Sequence, residues 1–174
     1  MKKFLAMILA ALTLLCLVSC ADNGSGGNES NGGGNKPLGS ATSKYVFKVE
    51  SKNGYEIKID ADMSNVLAAL GEPLSYFEAA SCAFEGLDKT YTYAGFTVMT
   101  RPDGSKDYVN AIFLTDDSLT TAKGIYIGAS ADEVTTAYGE TARTDTLISY
   151  TDGNTTLNFI LKNGSVVSIE YVPA

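Results

Sequence analysis

Any chemistry in this chain has to come from carboxylates, hydroxyls and thiols, because its 174 residues include no histidine. That absence removes Ser-His-Asp and Cys-His catalysis, His-ligated zinc and imidazole pH switching. Two carboxylate pairs come into question for glycoside hydrolysis, Glu85 with Asp88 and Asp116 with Asp117, since that reaction places two acids either side of one bond. Neighbouring residues at a strand end point to opposite faces, so Asp116 and Asp117 are poorly set for joint work, and Asp116-Asp117-Ser118 reads better as a turn. Asp103-Gly104-Ser105-Lys106-Asp107 lacks the alternating ligands and closing Glu of a calcium loop, and a hairpin turn explains it. The glycine-rich runs have no strand before them and no Lys-Ser/Thr after them, so they form no phosphate cradle. No metal or cofactor is expected. Of three cysteines, Cys16 and Cys20 stand near the N-terminus and Cys82 stands alone; it is expected to pack as a small buried hydrophobe. Tyrosine is the remaining signal. Tyr91 and Tyr93 are two apart and share a strand face, where tyrosine gives amphipathic contact area suited to binding but also suits a half-buried strand.

The elements that position these groups are marked by turn dipeptides. Asn53-Gly54, Asp103-Gly104, Asp152-Gly153 and Asn163-Gly164 accept positive φ in tight hairpins. They predict strand pairs at 44–50 with 55–59, 95–101 with 107–114, 146–151 with 155–161, and 155–161 with 166–172. Two short helices interrupt the strands. One runs from about Asp62 to Leu70 and stops at Gly71; the other runs from Ala131 to Tyr138 and stops at Gly139. Ser130 and Glu133 have capping-box spacing, and glycine is the natural stop. Neither helix is long enough to stand alone in water, so each must lie on the sheet.

The two helices also match each other. Residues 59–72 align with 127–140 with six of fourteen positions identical, and strands follow both: 89–94, 96–101 and 107–114 after the first, 146–151, 155–162 and 165–172 after the second. The expected fold is therefore α+β: two tandem units of a short helix followed by a three-stranded antiparallel meander, preceded by a β-hairpin, with copies at about 59–118 and 127–172. Gly71 to Tyr93 spans 22 residues where Gly139 to Tyr150 spans 11. The first copy thus carries an insertion within 74–88. Added material on a scaffold is a reasonable seat of function. Phe77, Cys82 and Phe84 are expected to plug the core between copies, leaving Tyr76, Glu78 and Glu85, with Tyr91 and Tyr93, as candidate contact residues.

The beginning of the chain gives location. Lys2 and Lys3 precede an apolar run from Phe4 to Val18, and Ser19-Cys20 follows. This is the layout of a secretory signal over 1–19, and the run is short for a spanning helix, which needs roughly 20 residues. Leu17-Val18-Ser19-Cys20 resembles a bacterial lipobox. That resemblance implies cleavage before Cys20, fatty chains such as palmitate on its thiol, and a protein held to the cell membrane on its extracytoplasmic face. Residues 20–43 then form a Gly/Asn/Ser tether with a reach of roughly 25 Å, and 44–174 one domain. With 13 Lys+Arg against 20 Asp+Glu, nucleic acid and anionic headgroups are poor partners for the domain itself.

The segment Ile127–Val134 with Tyr138-Gly139, followed by a meander, resembles the helix-then-sheet unit of the β-lactamase inhibitory protein family. It is similar also to the small lipoprotein of the outer-membrane β-barrel assembly machine. The former resemblance implies a concave sheet gripping a protein partner; the chain departs from it in having no intradomain disulfide and in carrying the insertion. Ser81-Cys82-Ala83-Phe84-Glu85-Gly86 resembles a segment of Gram-positive surface lipoproteins of no assigned chemistry. The expected function is a membrane-anchored, non-catalytic module that binds an envelope or extracellular protein, with a carboxylate-dependent cell-envelope hydrolase as the rival.

Overall fold

The structure is a computed structural model that describes residues 43–174. The signal segment 1–19, Cys16, Cys20 and all but the last residue of the 20–43 tether lie outside the described residues. Alternation along the strands sets the architecture. In Thr155–Lys162, the side chains of Thr155, Leu157, Phe159 and Leu161 are buried while those between them are partly open or exposed. That period of two gives such a strand one apolar face. The chain order is β1 (Phe47–Val49), β2 (Tyr55–Ile57), α1 (Met63–Leu70), β3 (Ser75–Ala80), β4 (Leu87–Tyr93), β5 (Phe96–Asp103), β6 (Lys106–Leu114), α2 (Ala131–Tyr138), β7 (Leu147–Asp152), β8 (Thr155–Lys162) and β9 (Ser165–Pro173). β1 and β2 pair as a small sheet, and the other seven form one antiparallel sheet ordered β3-β4-β5-β6-β9-β8-β7. Among the described residues, no helix is long and apolar enough to cross a membrane.

Both helices and the β1–β2 hairpin cover the same sheet face. Phe47 packs its ring 5.0 Å from Phe96 and 5.9 Å from Tyr171, and Tyr138 of α2 lies 5.3 Å from both Tyr150 and Phe159. Met63, Val66 and Leu70 are the buried stripe of α1. These side chains and the inner positions of the sheet make one continuous core. The helix ends form as their caps require. Asp62 accepts from Ser64 N–H at 3.0 Å, and Ser130 and Glu133 complete a reciprocal capping box. Gly71 and Gly139, at φ 80° and 98°, return their N–H groups to Leu67 and Thr135 carbonyls at 2.8 Å.

The expected α+β fold of two tandem helix-plus-meander units is overturned. Strand accounts for 47% and helix for 14% of the described residues, and the molecule is mostly β. The cause is the small amount of helix set against one large sheet. Two eight-residue helices roof only part of one side. The halves do not stand as separate units, because β6 and β9 hydrogen-bond into a common sheet. The first half also brings four strands to that sheet, since the 74–88 insertion supplies β3.

Local contacts nonetheless recur at matching places. Tyr93 Oη donates to Gly71 O at 3.3 Å, and Tyr150 Oη to Gly139 O at 2.6 Å. Asp60 N–H donates to Val109 O, and Gly128 N–H to Val166 O, both at 2.8 Å. β-Bulges fall at Met99/Thr100 and Ile160/Leu161. Gly128 has φ 112°, but its counterpart Asp60 takes φ 64°, a left-handed conformation unfavourable to a residue with a side chain. Asp60 is held there by Arg101 at 3.0 Å and by Asn154 Nδ2 at 3.0 Å.

Phe159 has no exposed surface, so Phe159→Ala should cost about 3–5 kcal/mol, read as a lower midpoint in chemical denaturation. Asp62 gives a pH test. Its carboxyl is held at about 2, first by the Lys106 ammonium and then by the Ser64 hydroxyl and N–H, against an ordinary 3.8. A carboxyl whose folded value lies below its unfolded value stabilises above the unfolded value, and that contribution is lost as pH falls through the folded one. The Tm of the protein should therefore drop between pH 4 and 2. Asp62→Asn caps equally well but does not titrate, so it should flatten that part of the curve; melts with equal slopes would refute the assignment.

Candidate functional site

The 74–88 insertion folds as an edge. Ser75–Ala80 pairs with β4 in the register Ser75↔Thr92 through Ala80↔Leu87, and among the described residues no strand lies on its other side. All six of its residues are exposed. Leu74 is 75% exposed, Phe77 66%, Tyr76 48% and Phe84 45%. Five of the eight large exposed apolar side chains of the described domain fall between Leu74 and Leu87, which concentrates sticky surface in one strip rather than scattering it.

The expected plug of Phe77, Cys82 and Phe84 is therefore wrong. Phe77 lies in register with Thr90, Met99 and Ala111, on the sheet face opposite the buried Tyr91 and Val98. That face carries neither helix nor hairpin, so Phe77 has nothing to pack against. Cys82 is a free, exposed thiol. Phe84 closes over the Arg101 guanidinium at 5.7 Å, and Arg101 also lies 5.4 Å from the Tyr108 ring. The tip is fitted closely there: a Cβ at Gly86, φ 126°, would stand 2.9 Å from Pro102.

Four of the five candidate contact residues come together. Tyr76 and Glu78 on β3 and Tyr91 and Tyr93 on β4 occupy the helix-bearing face, with the Tyr76 and Tyr91 rings 5.1 Å apart. Tyr76 Oη donates to the Glu78 carboxylate, and that bond, with lesser help from burial, raises the phenol well above its ordinary value. Burial raises Tyr91 and Tyr93 as well. Tyr91 is almost fully buried and serves as floor rather than contact. Glu85 is the fifth, and it lies apart from the others on the exposed 81–86 turn.

Two joined depressions lie where α1 stops short of the edge. One, about 340 Å³, is lined by Leu67, Gly71, Glu72, Pro73, Tyr76 and Tyr91. The other, about 260 Å³, continues past Leu67 and Tyr91 to Asp62, Lys106 and Asp107. Its acids are engaged: Asp62 with Lys106 at 2.8 Å and Asp107 with Lys89 at 2.7 Å. The Asp107 carboxylate raises Lys89 above the ordinary lysine value. A larger depression of about 640 Å³ beside α2 holds Asp132, Arg143, Asp145 and Lys162, with Asp132 and Arg143 paired at 3.2 Å. Asp116, of the second candidate pair, accepts from the Ser118 hydroxyl and from Ser118 N–H, the latter at 2.9 Å, as a turn residue. Those hydrogen bonds, the hydroxyl's first, lower its carboxyl, the opposite direction from a general acid. Among the described residues, no group of three or more Cys, Asp or Glu is placed to hold a metal ion.

Sequence reasoning missed Leu67, Lys89, Lys106 and Asp107 as neighbours of the tyrosines, and missed Leu74 and Phe77 as surface. The usable signal was Ser75-Tyr76-Phe77-Glu78-Ala79-Ala80 itself. Its aromatic residues favour a strand, and Glu78 two positions after Tyr76 marks their shared face as open at the margin. The opposite edge is treated differently. Outside β7, Arg143 bridges to Ile148, Thr144 N–H donates to Leu147 O at 3.0 Å, and Thr141 Oγ1 donates to Ser149 O at 3.5 Å. One edge is closed and one is open. No family model matches the chain, and neither a curated protein nor a solved structure matches it.

Proposed function

We propose that this is a lipid-anchored, extracytoplasmic, non-catalytic protein-binding module whose contact surface is the strip 74–87 with the adjoining Tyr76–Leu67 groove. The observation that carries the reading is the gathering of Leu74, Tyr76, Phe77, Phe84 and Leu87 as exposed side chains on one uncovered edge. An uncovered strand edge that carries a single charge, Glu78, pairs readily with extended chain and is ordinarily blunted further. Anchoring rests on Leu17-Val18-Ser19-Cys20 after a basic and apolar leader. The partner is a protein of the envelope or its surroundings, in keeping with the acidic charge balance.

Two measurements test this. Fractionation of cells expressing the full chain should find it with the membrane and labelled by radioactive palmitate, whereas Cys20→Ser should abolish the label; an unlabelled wild-type chain in the cytosol would sink the placement. Photo-crosslinking from the strip in intact cells should give adducts with an envelope protein. Leu74→Ser with Phe77→Ser should lower their yield by about tenfold, as loss of central apolar anchors does. Equal adducts from both chains would remove the strip from the binding surface.

A further inference from the structure

We infer that β3 pairs with β3 of a second copy of this chain, antiparallel about a two-fold axis at Phe77, joining two sheets into one. This deepens the function proposed above by naming the partner at the edge, and it rests on the strip 74–87 being a binding surface.

The backbone sets the phase. Ser81 N–H donates to Gly86 O at 3.0 Å in the register that β3 keeps with β4. Antiparallel pairs alternate between bonded and non-bonded positions. Odd-numbered residues of β3 therefore turn their N–H and C=O groups toward β4. Tyr76, Glu78 and Ala80 turn theirs outward, away from every described strand. A second copy that satisfies those groups must set even-numbered residues opposite even-numbered ones.

Side chains select among the registers this permits. An axis at Glu78 sets two carboxylates opposite each other, which destabilises a strand pair. An axis at Tyr76 sets Glu78 opposite Leu74. An axis at Phe77 sets Tyr76 of each copy opposite Glu78 of the other, on the face where the same two groups already bond within one strand. It also sets the two exposed Phe77 rings side by side on the open face and Ser75 opposite Ala79, small residues that let the backbones approach. Glu78 is the single charge on this strand, so the one residue that ordinarily guards an edge becomes a partner. The interface is isologous and closes at two copies, because the 141–146 loop covers the other edge.

The test uses the full chain in cells. Residues opposed at a non-bonded antiparallel position have Cα atoms about 4.5 Å apart, within disulfide reach. Phe77→Cys with Cys82→Ser should give a disulfide-linked dimer on mild oxidation with diamide, more than about tenfold faster than Val167→Cys with Cys82→Ser, an exposed control on β9. Adding Glu78→Pro removes an outward N–H without touching the β4 ladder, and it should return cross-linking to the control rate. Native Cys82 lies five positions from the axis, so its two copies stand roughly 34 Å apart and should not link. Phe77→Cys that links no faster than Val167→Cys, or native Cys82 that links as fast as Phe77→Cys, would overturn the inference. Should the dimer fail while the serine variants still lose their adducts, the strip remains a binding surface for a different protein; should both fail, the proposed function falls with it.

Discussion

A pleated sheet sends alternate side chains to opposite sides, and this molecule depends on covering one of those sides with very little material. The roof consists of two eight-residue helices and a hairpin of three-residue strands. Phe47, Val66, Val134 and Tyr138 reach down from it to Phe96, Phe159 and Tyr171. Neither helix has the length to persist without that contact, and the inner face would be wet without them. Because the roof is small, its boundary falls inside the sheet. Leu67 and Tyr91 mark that boundary, and the two depressions beyond them are its direct consequence.

The same shortage explains the contrast between the two edges. At β7 the chain leaving α2 runs back along the strand through Thr141, Arg143 and Thr144. At β3 the corresponding length of chain has become the strand itself. The 74–88 segment therefore adds hydrogen-bonded backbone and removes the cover that backbone needs. Phe84 and Gly86 secure its tip against Arg101 and Pro102, which gives a fixed platform under exposed apolar side chains. Arg101 matters twice here, since it also holds Asp60 in its left-handed turn.

Much of the local structure was legible in the residues. The turn dipeptides, the caps at Asp62 and Ser130, and the stops at Gly71 and Gly139 act through bonds within a few positions, and sequence displays such bonds directly. Strand limits held to within a few residues for the same reason. What the residues did not display was how much sheet the helices would have to cover, because that depends on β6 meeting β9 across more than fifty positions. The α+β expectation failed on that point. Phe77 and Phe84 were misplaced by a related step: they were set in a core between two copies, and only the strand order reveals that β3 lies at the rim. That Tyr91 and Tyr93 share a face was legible because a spacing of two fixes it whatever the topology. Tyr76 and Glu78 were candidates only as members of the insertion, and their place beside Tyr91 comes from the pairing of β3 with β4. Lys89 and Asp107 were not, because their meeting requires β4, β5 and β6 to lie side by side.

The entries to the two helices are bonded into the ladder itself. Asp60 and Ala61 exchange hydrogen bonds with Val109, and Gly128 and Ala129 do so with Val166. They wedge in where β6 and β9 diverge after the pairing of Ile112–Leu114 with Ile169–Tyr171. Roof and floor are consequently joined by backbone and by these hydrogen bonds into one truss. A load applied at the β3 rim would be carried inward through β4 and β5 to that joint instead of prising a helix off.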